Sequence, residues 1–317
     1  VIACSSAAFG FPKAEGHDKR YTSWASVTTA GGRHGPGHRY RRLSGKRLSG
    51  RAIAVCGGGN GDARHEVTRL CRGAYGAVKG LEDTPHDEPE VDLLCRYIAC
   101  HVVHKALPLT RTLLADQRIV DVVAALIGPN VKCVHSVLFL KGPGEPGNAW
   151  HQDETFIPTR DRSLTTVWIA IDDVEIANGC LRLLPGSQTA GILWPMRPHN
   201  DSNLDRAEIA FGFPQAETTA TVVEIPAGSA VVFDGYTLHG SFPNRTPDRF
   251  RRSIQFVYMR AESLLPWDQV GRAPTGVDYR DIIIVSGKDP YGYKGIADLG
   301  RAYMRRRGPT AADQRAA

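Results

Sequence analysis

From residue 132 onward the chain is a succession of short apolar runs cut apart by Gly, Pro, Asn and Asp. They are KCVHSVLFL (132–140), TTVWIAI (165–171), GCLRLLP (179–185), TATVVEI (219–225), SAVVFDG (229–235) and RRSIQFVYM (251–259). Each has the length of a strand and is rich in β-branched or aromatic residues, which fit a pleated, half-buried surface. No helical pattern alternates with them, so the strands must bury their apolar faces against one another rather than in βαβ units. This predicts a mainly β fold with flanking helices, a double-stranded β-helix of the jelly-roll, cupin-like kind. One of the helices is predicted over 116–127. There Ile119, Val122, Val123, Leu126 and Ile127 form a stripe, Asp116 caps the start, and Gly128-Pro129 ends it.

The region before the strands divides in two. Residues 1–62 are rich in Gly, Ser, Arg and His and show no sustained period, which predicts a disordered arm. The jelly-roll domain is expected over 63–305, with a frayed tail over 306–317 that begins within the segment MRRRGPTAADQRAA. The net charge of +6 is carried by the arm: residues 1–62 sum to +7 and the remainder to −1. A neutral body, with no aromatics interleaved among the basic residues, argues against a nucleic-acid partner. With 42% hydrophobic residues the chain can fill a sizeable core. No run approaches the roughly eighteen apolar residues of a membrane helix, and no basic segment precedes the opening VIACSSAAFGF as in a leader. The seven scattered cysteines never form CxxC, which predicts free thiols in a reducing compartment and excludes a metal scaffold built on cysteine. A soluble cytoplasmic protein, monomer or homodimer, is the expectation.

The chemistry concentrates in GNAWHQDE (147–154). Residues i and i+2 of an extended segment point to one side, so His151 and Asp153 can offer a nitrogen and an oxygen to a common point. A third ligand must come from elsewhere, and His239 in DGYTLHGSFPN stands at the end of a predicted strand. Two histidines and one carboxylate on one side of a metal leave positions open, an arrangement suited to non-haem Fe(II). Alternation along RRSIQFVY places Arg251, Ser253 and Gln255 on one face and Arg252, Ile254 and Phe256 on the other. A guanidinium inside such a strand needs an anionic partner, and a dicarboxylate supplies one.

The order HQD, then Trp168, NGCLRLLPGS (178–187), HGSFPN (239–244) and FRRS (250–253) resembles the phytanoyl-CoA dioxygenase family of Fe(II)/2-oxoglutarate oxygenases, over roughly residues 66–300. The resemblance implies that His151, Asp153 and His239 are the iron ligands and that Arg251 holds the distal carboxylate of 2-oxoglutarate. Ser253 would be its neighbour, with Ser241 and Trp168 in the same pocket. The spacing from His239 is one residue longer than the family pattern, which leaves Arg252 as the alternative clamp. Lys105 is the candidate for a family lysine on the co-substrate, and Val137 occupies a position that touches it in the family. The implied activity is hydroxylation of a small molecule with O₂, 2-oxoglutarate going to succinate and CO₂, with ascorbate as a candidate stimulant. The presence of Asp153 points away from halogenation, since related halogenases lack that carboxylate. Residues 1–62 show nothing like the family's usual opening helix and strand.

Glu154, Phe156, Arg160 and Arg162 are candidate substrate contacts or plain surface, and LWPMRPHNDSN (193–203) is a candidate lid. The rival readings are a jelly-roll binding module that has lost its metal and a metal-dependent enzyme of another type on the same triad.

Overall fold

The computed structural model of the 317-residue chain describes residues 53–55, 60–205, 208–264, 282–296 and 300–308. In chain order, β1 (Ile53–Val55), α1 (Asn60–Cys71), α2 (Glu90–Cys95), β2 (Tyr97–His101), α3 (Pro108–Leu113) and α4 (Gln117–Ile127) precede the long strand β3 (Val131–Lys141). There follow β4 (Thr165–Ala170), β5 (Leu181–Leu183), β6 (Met196–Pro198), β7 (Glu208–Ala210) and β8 (Thr221–Val223). The chain continues through β9 (Ala230–Asp234), β10 (His239–Ser241), β11 (Arg251–Arg260), β12 (Ile283–Ser286) and β13 (Tyr303–Arg306). The major sheet runs β1-β9-β4-β11-β3-β2-β13 with β12 also on β3, and the minor sheet runs β10-β5-β8. Their pairings are antiparallel. This is the jelly roll that the succession of short strands predicts.

The two faces of β11 show how the sheet is held. Ile254, Phe256 and Tyr258 are fully buried in one apolar cluster with Ala63, Val67 and Leu70 of α1, Leu93 and Leu94 of α2 and Ile119, Val123 and Ile127 of α4. Each such side chain contributes roughly 1.5–3 kcal/mol by leaving water. The helices therefore cover one face of the major sheet, and the other face, carrying Arg251, Ser253, Gln255 and Val257, looks toward the minor sheet across a cavity. Helix α4 starts as expected, with Asp116 Oδ1 accepting from the Arg118 backbone N–H at 3.0 Å. Its buried stripe is Ile119, Val120, Val123 and Ile127, while Val122 and Leu126 are only half-buried at the edge. The five cysteines at 71, 95, 100, 133 and 180 are free thiols.

Two boundaries differ from the sequence reading. Ile53–Val55 falls inside the stretch expected to be an arm, yet it pairs with β9 through Ile53–Val232, Ala54–Val231 and Val55–Ala230. The rest of the arm before residue 53 lies outside the described residues. At the other end, MRRR reads as a solvated tail, but Met304 is buried in the helix-covered core and β13 pairs along β2. An edge strand needs only that one apolar anchor. Arg306 on it and Arg307 just after it form ion pairs, to Glu82 at 2.6 Å and to Glu145 at 2.8 Å. Residues 309–317 lie outside the described residues.

Candidate metal centre

His151 and His239 are brought together by the backbone itself. They form an antiparallel bridge in which the His151 N–H donates to the His239 carbonyl at 2.9 Å and the His239 N–H donates back at 3.0 Å. Residues that exchange both bonds in this way stand side by side with Cα atoms about 5.5 Å apart and side chains on one face. The approach requires glycine on both segments. A Cβ at Gly147 would meet the Ser241 carbonyl oxygen at 2.3 Å, and one at Gly240 would meet the Asn148 carbonyl oxygen at 2.6 Å. Trp150, on the opposite face from His151, is fully buried with Leu184, Ala210 and Leu238 and anchors the segment.

Gln152 is extended, with φ −125° and ψ 131°, so Asp153 returns to the side of His151. Asp153 Oδ1 lies 3.8 Å from His151 Nε2 and 3.6 Å from His239 Nε2, and the three donor atoms lie within 4.8 Å of one another. Both of those separations are below the span of two metal–ligand bonds of about 2.0–2.2 Å. Each imidazole is turned by its other nitrogen. His151 Nδ1 meets the Ala149 carbonyl at 2.7 Å and His239 Nδ1 meets that of Thr237 at 2.9 Å, so Nδ1 carries the proton and Nε2 keeps its lone pair for a metal. Thr166 Oγ1 donates to Asp153 Oδ2 at 2.6 Å, which leaves Oδ1 toward the histidines. All three ligands are buried, and two imidazoles with one carboxylate form a donor set that suits a divalent transition metal such as iron.

The same cavity, about 970 Å³, is lined by Arg251, Trp168, Ser241 and Val137. Arg251 Nε donates to the Gly179 carbonyl at 3.2 Å and Nη1 to Ser253 Oγ at 2.9 Å, and its guanidinium lies 5.3 Å from the centre of the Trp168 ring. Ser253 is fully buried and acts by bracing Arg251. Arg251 is 4% exposed, burial pushes it down to about 10, and among the described residues no carboxylate pairs with it. Arg252 is differently placed. It points to the helix side and donates to Asp172 through Nε and Nη2, both at 2.8 Å. The extra residue after His239 therefore does not move the inward arginine from 251 to 252.

Ser241 is held by two donors, the Asn148 N–H at 2.9 Å and Lys141 Nζ at 3.1 Å. Lys141 also donates to the carbonyls of Pro146 at 2.6 Å and Phe242 at 3.0 Å. Burial, and then the like charge of Arg251, push its ammonium down to about 7. Sequence reasoning missed this lysine because a single Lys ends an apolar run without any other mark.

Lys105 is placed elsewhere. It ends the 3-10 turn Val103–Lys105 and donates to the Gly300 carbonyl at 2.8 Å, and the cavity wall does not include it. The residue from before the barrel that does line the cavity is His101, set by the register of β2, where His101 stands opposite Val137. His135, Asn148, Phe233 and Gln255 are further lining residues that carried no sequence signal beyond strand alternation. Of the proposed substrate contacts, Phe156 lines the cavity and is 44% exposed, while Arg160 and Arg162 are not in its wall. Glu154 is buried, its Oε1 accepting from the Thr159 hydroxyl at 2.6 Å, and burial pushes its carboxyl up to about 7. From the segment 193–203, Met196 and Pro198 line the cavity, on a strand paired with β7.

Comparisons with known proteins bear on the family. The chain is 28% identical over 162 residues to the phytanoyl-CoA dioxygenase domain-containing protein 1 homolog of Dictyostelium discoideum, covering 50% of this chain and 57% of that protein. It is 27% identical over 184 residues to a probable alpha-ketoglutarate-dependent hypophosphite dioxygenase of Stutzerimonas stutzeri, covering 56% and 60%. The matches thus span little more than half the length of these curated relatives. Among solved structures, the epimerase SnoN in complex with Fe3+, alpha ketoglutarate and nogalamycin RO superposes with a TM-score of 0.50 at 20% identity, covering 71% of this chain and 89% of that one. At that identity the likeness bears on the fold alone. Residues 63–253, which contain all three metal-ligand candidates and Arg251, match the family described as Phytanoyl-CoA dioxygenase (PhyH), and the chain belongs to that family.

Proposed function

We propose that this protein is an Fe(II)- and 2-oxoglutarate-dependent dioxygenase that hydroxylates a small organic molecule, converting 2-oxoglutarate to succinate and CO₂. The observation that carries the reading is the pairing, in one cavity, of the His151–Asp153–His239 triad with a buried Arg251 that forms no ion pair among the described residues. A buried guanidinium is costly unless an anion reaches it. A dicarboxylate with one end at the triad and the other at Arg251 meets both demands. A zinc hydrolase or a metal-free binding module would leave Arg251 unexplained.

In this reading His151, Asp153 and His239 hold the iron, which, when bound, supplies O₂ activation and the oxidising power for C–H hydroxylation. Thr166 fixes which carboxylate oxygen faces the ion. Arg251, braced by Ser253 and set beside Trp168, orients the far carboxylate of 2-oxoglutarate through charge-assisted hydrogen bonds. Ser241 and Val137 complete that pocket. Related halogenases lack the carboxylate that Asp153 supplies here, so hydroxylation is the expected outcome.

The test is O₂-dependent release of succinate from 2-oxoglutarate by iron-loaded protein, screened over small molecules. Turnover that needs both iron and O₂, and that is lost in His239→Ala, supports the reading. Folded, iron-loaded protein that forms no succinate with or without added substrates contradicts it.

A further inference from the structure

Two cations stand opposite each other behind one end of the cavity. Lys141 ends β3 directly across from Arg251 on β11, and residues opposed in this way share a face, with Cβ atoms about 4.5–5.5 Å apart. Like charges so placed repel, yet the hydrogen-bond partners of both among the described residues are neutral oxygens. Gly179 lets the two side chains approach: its carbonyl accepts from Arg251 Nε at 3.2 Å, and a Cβ on it would meet Lys141 Cδ at 2.7 Å. A fold that needed only a hydrogen-bonding tie at position 141 could use a neutral side chain, so the charge itself calls for an explanation.

The explanation lies in the polarity of Ser241. Lys141 is half-buried as a residue, but its ammonium is enclosed, each of its three N–H groups meeting an oxygen. The acceptors are the Pro146 carbonyl at 2.6 Å, the Phe242 carbonyl at 3.0 Å and Ser241 Oγ at 3.1 Å. The Asn148 N–H donates to the same Oγ at 2.9 Å. A serine hydroxyl has two acceptor lone pairs and one proton, so with both lone pairs engaged its proton must be donated. No acceptor takes it among the described residues, and Ser241 lines the cavity together with Arg251. A neutral amine at 141 would have a lone pair of its own and would draw the serine proton away from the cavity. The charged and titratable groups around Lys141 are Arg251 on β11, Asp205 before β7, Glu145 in the loop after β3 and the Cys180 thiol before β5. Asp205 is exposed, Arg307 engages Glu145 at 2.8 Å, and burial pushes Cys180 up to about 12. Burial and Arg251 push the ammonium down to about 7.

We propose that Lys141 is a positioning residue that sets the co-substrate's specificity: by donating to Ser241 it turns the serine proton into the cavity, and the Ser241–Arg251 end thereby selects 2-oxo acids whose far end is a carboxylate. The role rests on the oxygenase reading above. Lys141 is not in the cavity wall and acts through Ser241. Its ammonium also joins the segments that lead to His151 and away from His239, through Pro146 and Phe242. A purely structural tie would weaken every ligand of the cavity alike, whereas control of the Ser241 proton discriminates between far ends.

The test compares the affinities of 2-oxoglutarate and of 2-oxopentanoate, which has the same 2-oxo acid head and ends in a methyl group, by anaerobic titration of the Fe(II)-loaded protein. Lys141→Met should lower the preference for 2-oxoglutarate about tenfold, the loss of one hydrogen bond to a charged group. Affinity for 2-oxopentanoate should stay within about twofold of the wild type. Ser241→Ala should lower the preference by a similar factor, and the double variant should lose less than the product of the two singles, because one residue acts through the other. In the wild type the preference should also fall between about pH 6 and about pH 8.5, as the ammonium gives up its proton. Arg251, pushed down to about 10, stays charged over that range. This last arm needs no variant and decides the matter if Lys141→Met does not fold. The proposal is overturned if Lys141→Met keeps the wild-type preference, if both oxo acids weaken in parallel, if the single losses multiply in the double variant, or if the wild-type preference is flat with pH. Folded, iron-loaded wild type that binds neither oxo acid would sink the oxygenase reading instead.

Discussion

Thr166 donates its hydroxyl to Asp153 at 2.6 Å, and by engaging Oδ2 it leaves Oδ1 as the carboxylate atom that faces His151 and His239. The bond links the central sheet, through β4, to a ligand that sits on a short turn after an extended residue. A ligand held only by its own χ angles would lose rotamer freedom at the moment of metal binding; here part of that ordering is already present in the fold.

Replacing Thr166 by Val keeps the volume and removes the donor. Metal affinity should fall about 10–100-fold, the usual cost of losing a partner that orients a ligand. Titration of metal-free protein with Fe(II) or Co(II) reads this directly. An unchanged affinity in a folded variant would show that Asp153 needs no such support.

The two neighbouring arginines should separate cleanly. Arg251→Ala removes charge-assisted hydrogen bonds to the co-substrate and should weaken 2-oxoglutarate binding by about 10–100-fold. Arg252→Ala removes the bidentate partner of Asp172 but leaves it the Arg64 ion pair at 2.8 Å and the backbone N–H of residue 252, so it should cost about 1–3 kcal/mol of stability. Its folded fraction should bind 2-oxoglutarate as the wild type does. Denaturant unfolding alongside 2-oxoglutarate titration of both variants distinguishes the roles, and equal losses of binding would refute the assignment.

Lys141 makes 2-oxoglutarate affinity depend on pH near 7. Its ammonium is pushed down to about 7 by burial and then by Arg251. An anion on Arg251 offsets the repulsion, which raises the lysine's proton affinity, so binding takes up a proton. Affinity is therefore higher below pH 7 and declines as pH rises through that value, while both carboxylates of 2-oxoglutarate stay ionised. Calorimetry of the iron-loaded protein in buffers of different ionisation enthalpy measures the uptake. Lys141→Met should flatten the profile, and a flat wild-type profile would contradict the linkage.

Gln152, between two ligands, holds the loop beside the cavity. Its side chain donates to the carbonyls of Ile192 at 2.9 Å and Tyr236 at 2.7 Å and accepts from the Trp194 N–H at 2.8 Å. Gln152→Ala strands three backbone groups, at about 1–3 kcal/mol for each one left buried without a partner. Amide exchange over residues 191–195 should rise at least tenfold while metal binding persists. Unaltered exchange there would show that the loop is held by other contacts.

The sequence patterns that were legible are those enforced by a strict period. Alternation along β11 assigns Arg251 and Arg252 to opposite faces, and the i, i+2 relation puts His151 and Asp153 on one side. His239 could be paired with them because DGYTLHG follows a strand, but the bridge that aligns it with His151 lies in long-range register, which no local pattern encodes. The position of Lys105 outside the cavity wall has the same origin: the register of β2 on β3, set by Ala99–Phe139 and His101–Val137, brings His101 to the wall instead. The strand β13 was hidden because one buried methionine among arginines has no detectable period. Lys141 was hidden because its burial depends on the Pro146 and Phe242 carbonyls that only the folded chain brings to it.

The central claim is that His151, Asp153 and His239 converge on one ferrous ion with room for 2-oxoglutarate. Its most direct test is an anaerobic titration of Fe(II)-loaded protein with 2-oxoglutarate, followed in the visible region. The account predicts a weak charge-transfer band that saturates at one equivalent and is absent from Asp153→Ala. No band from folded, iron-replete wild-type protein, or an undiminished band from Asp153→Ala, would contradict it.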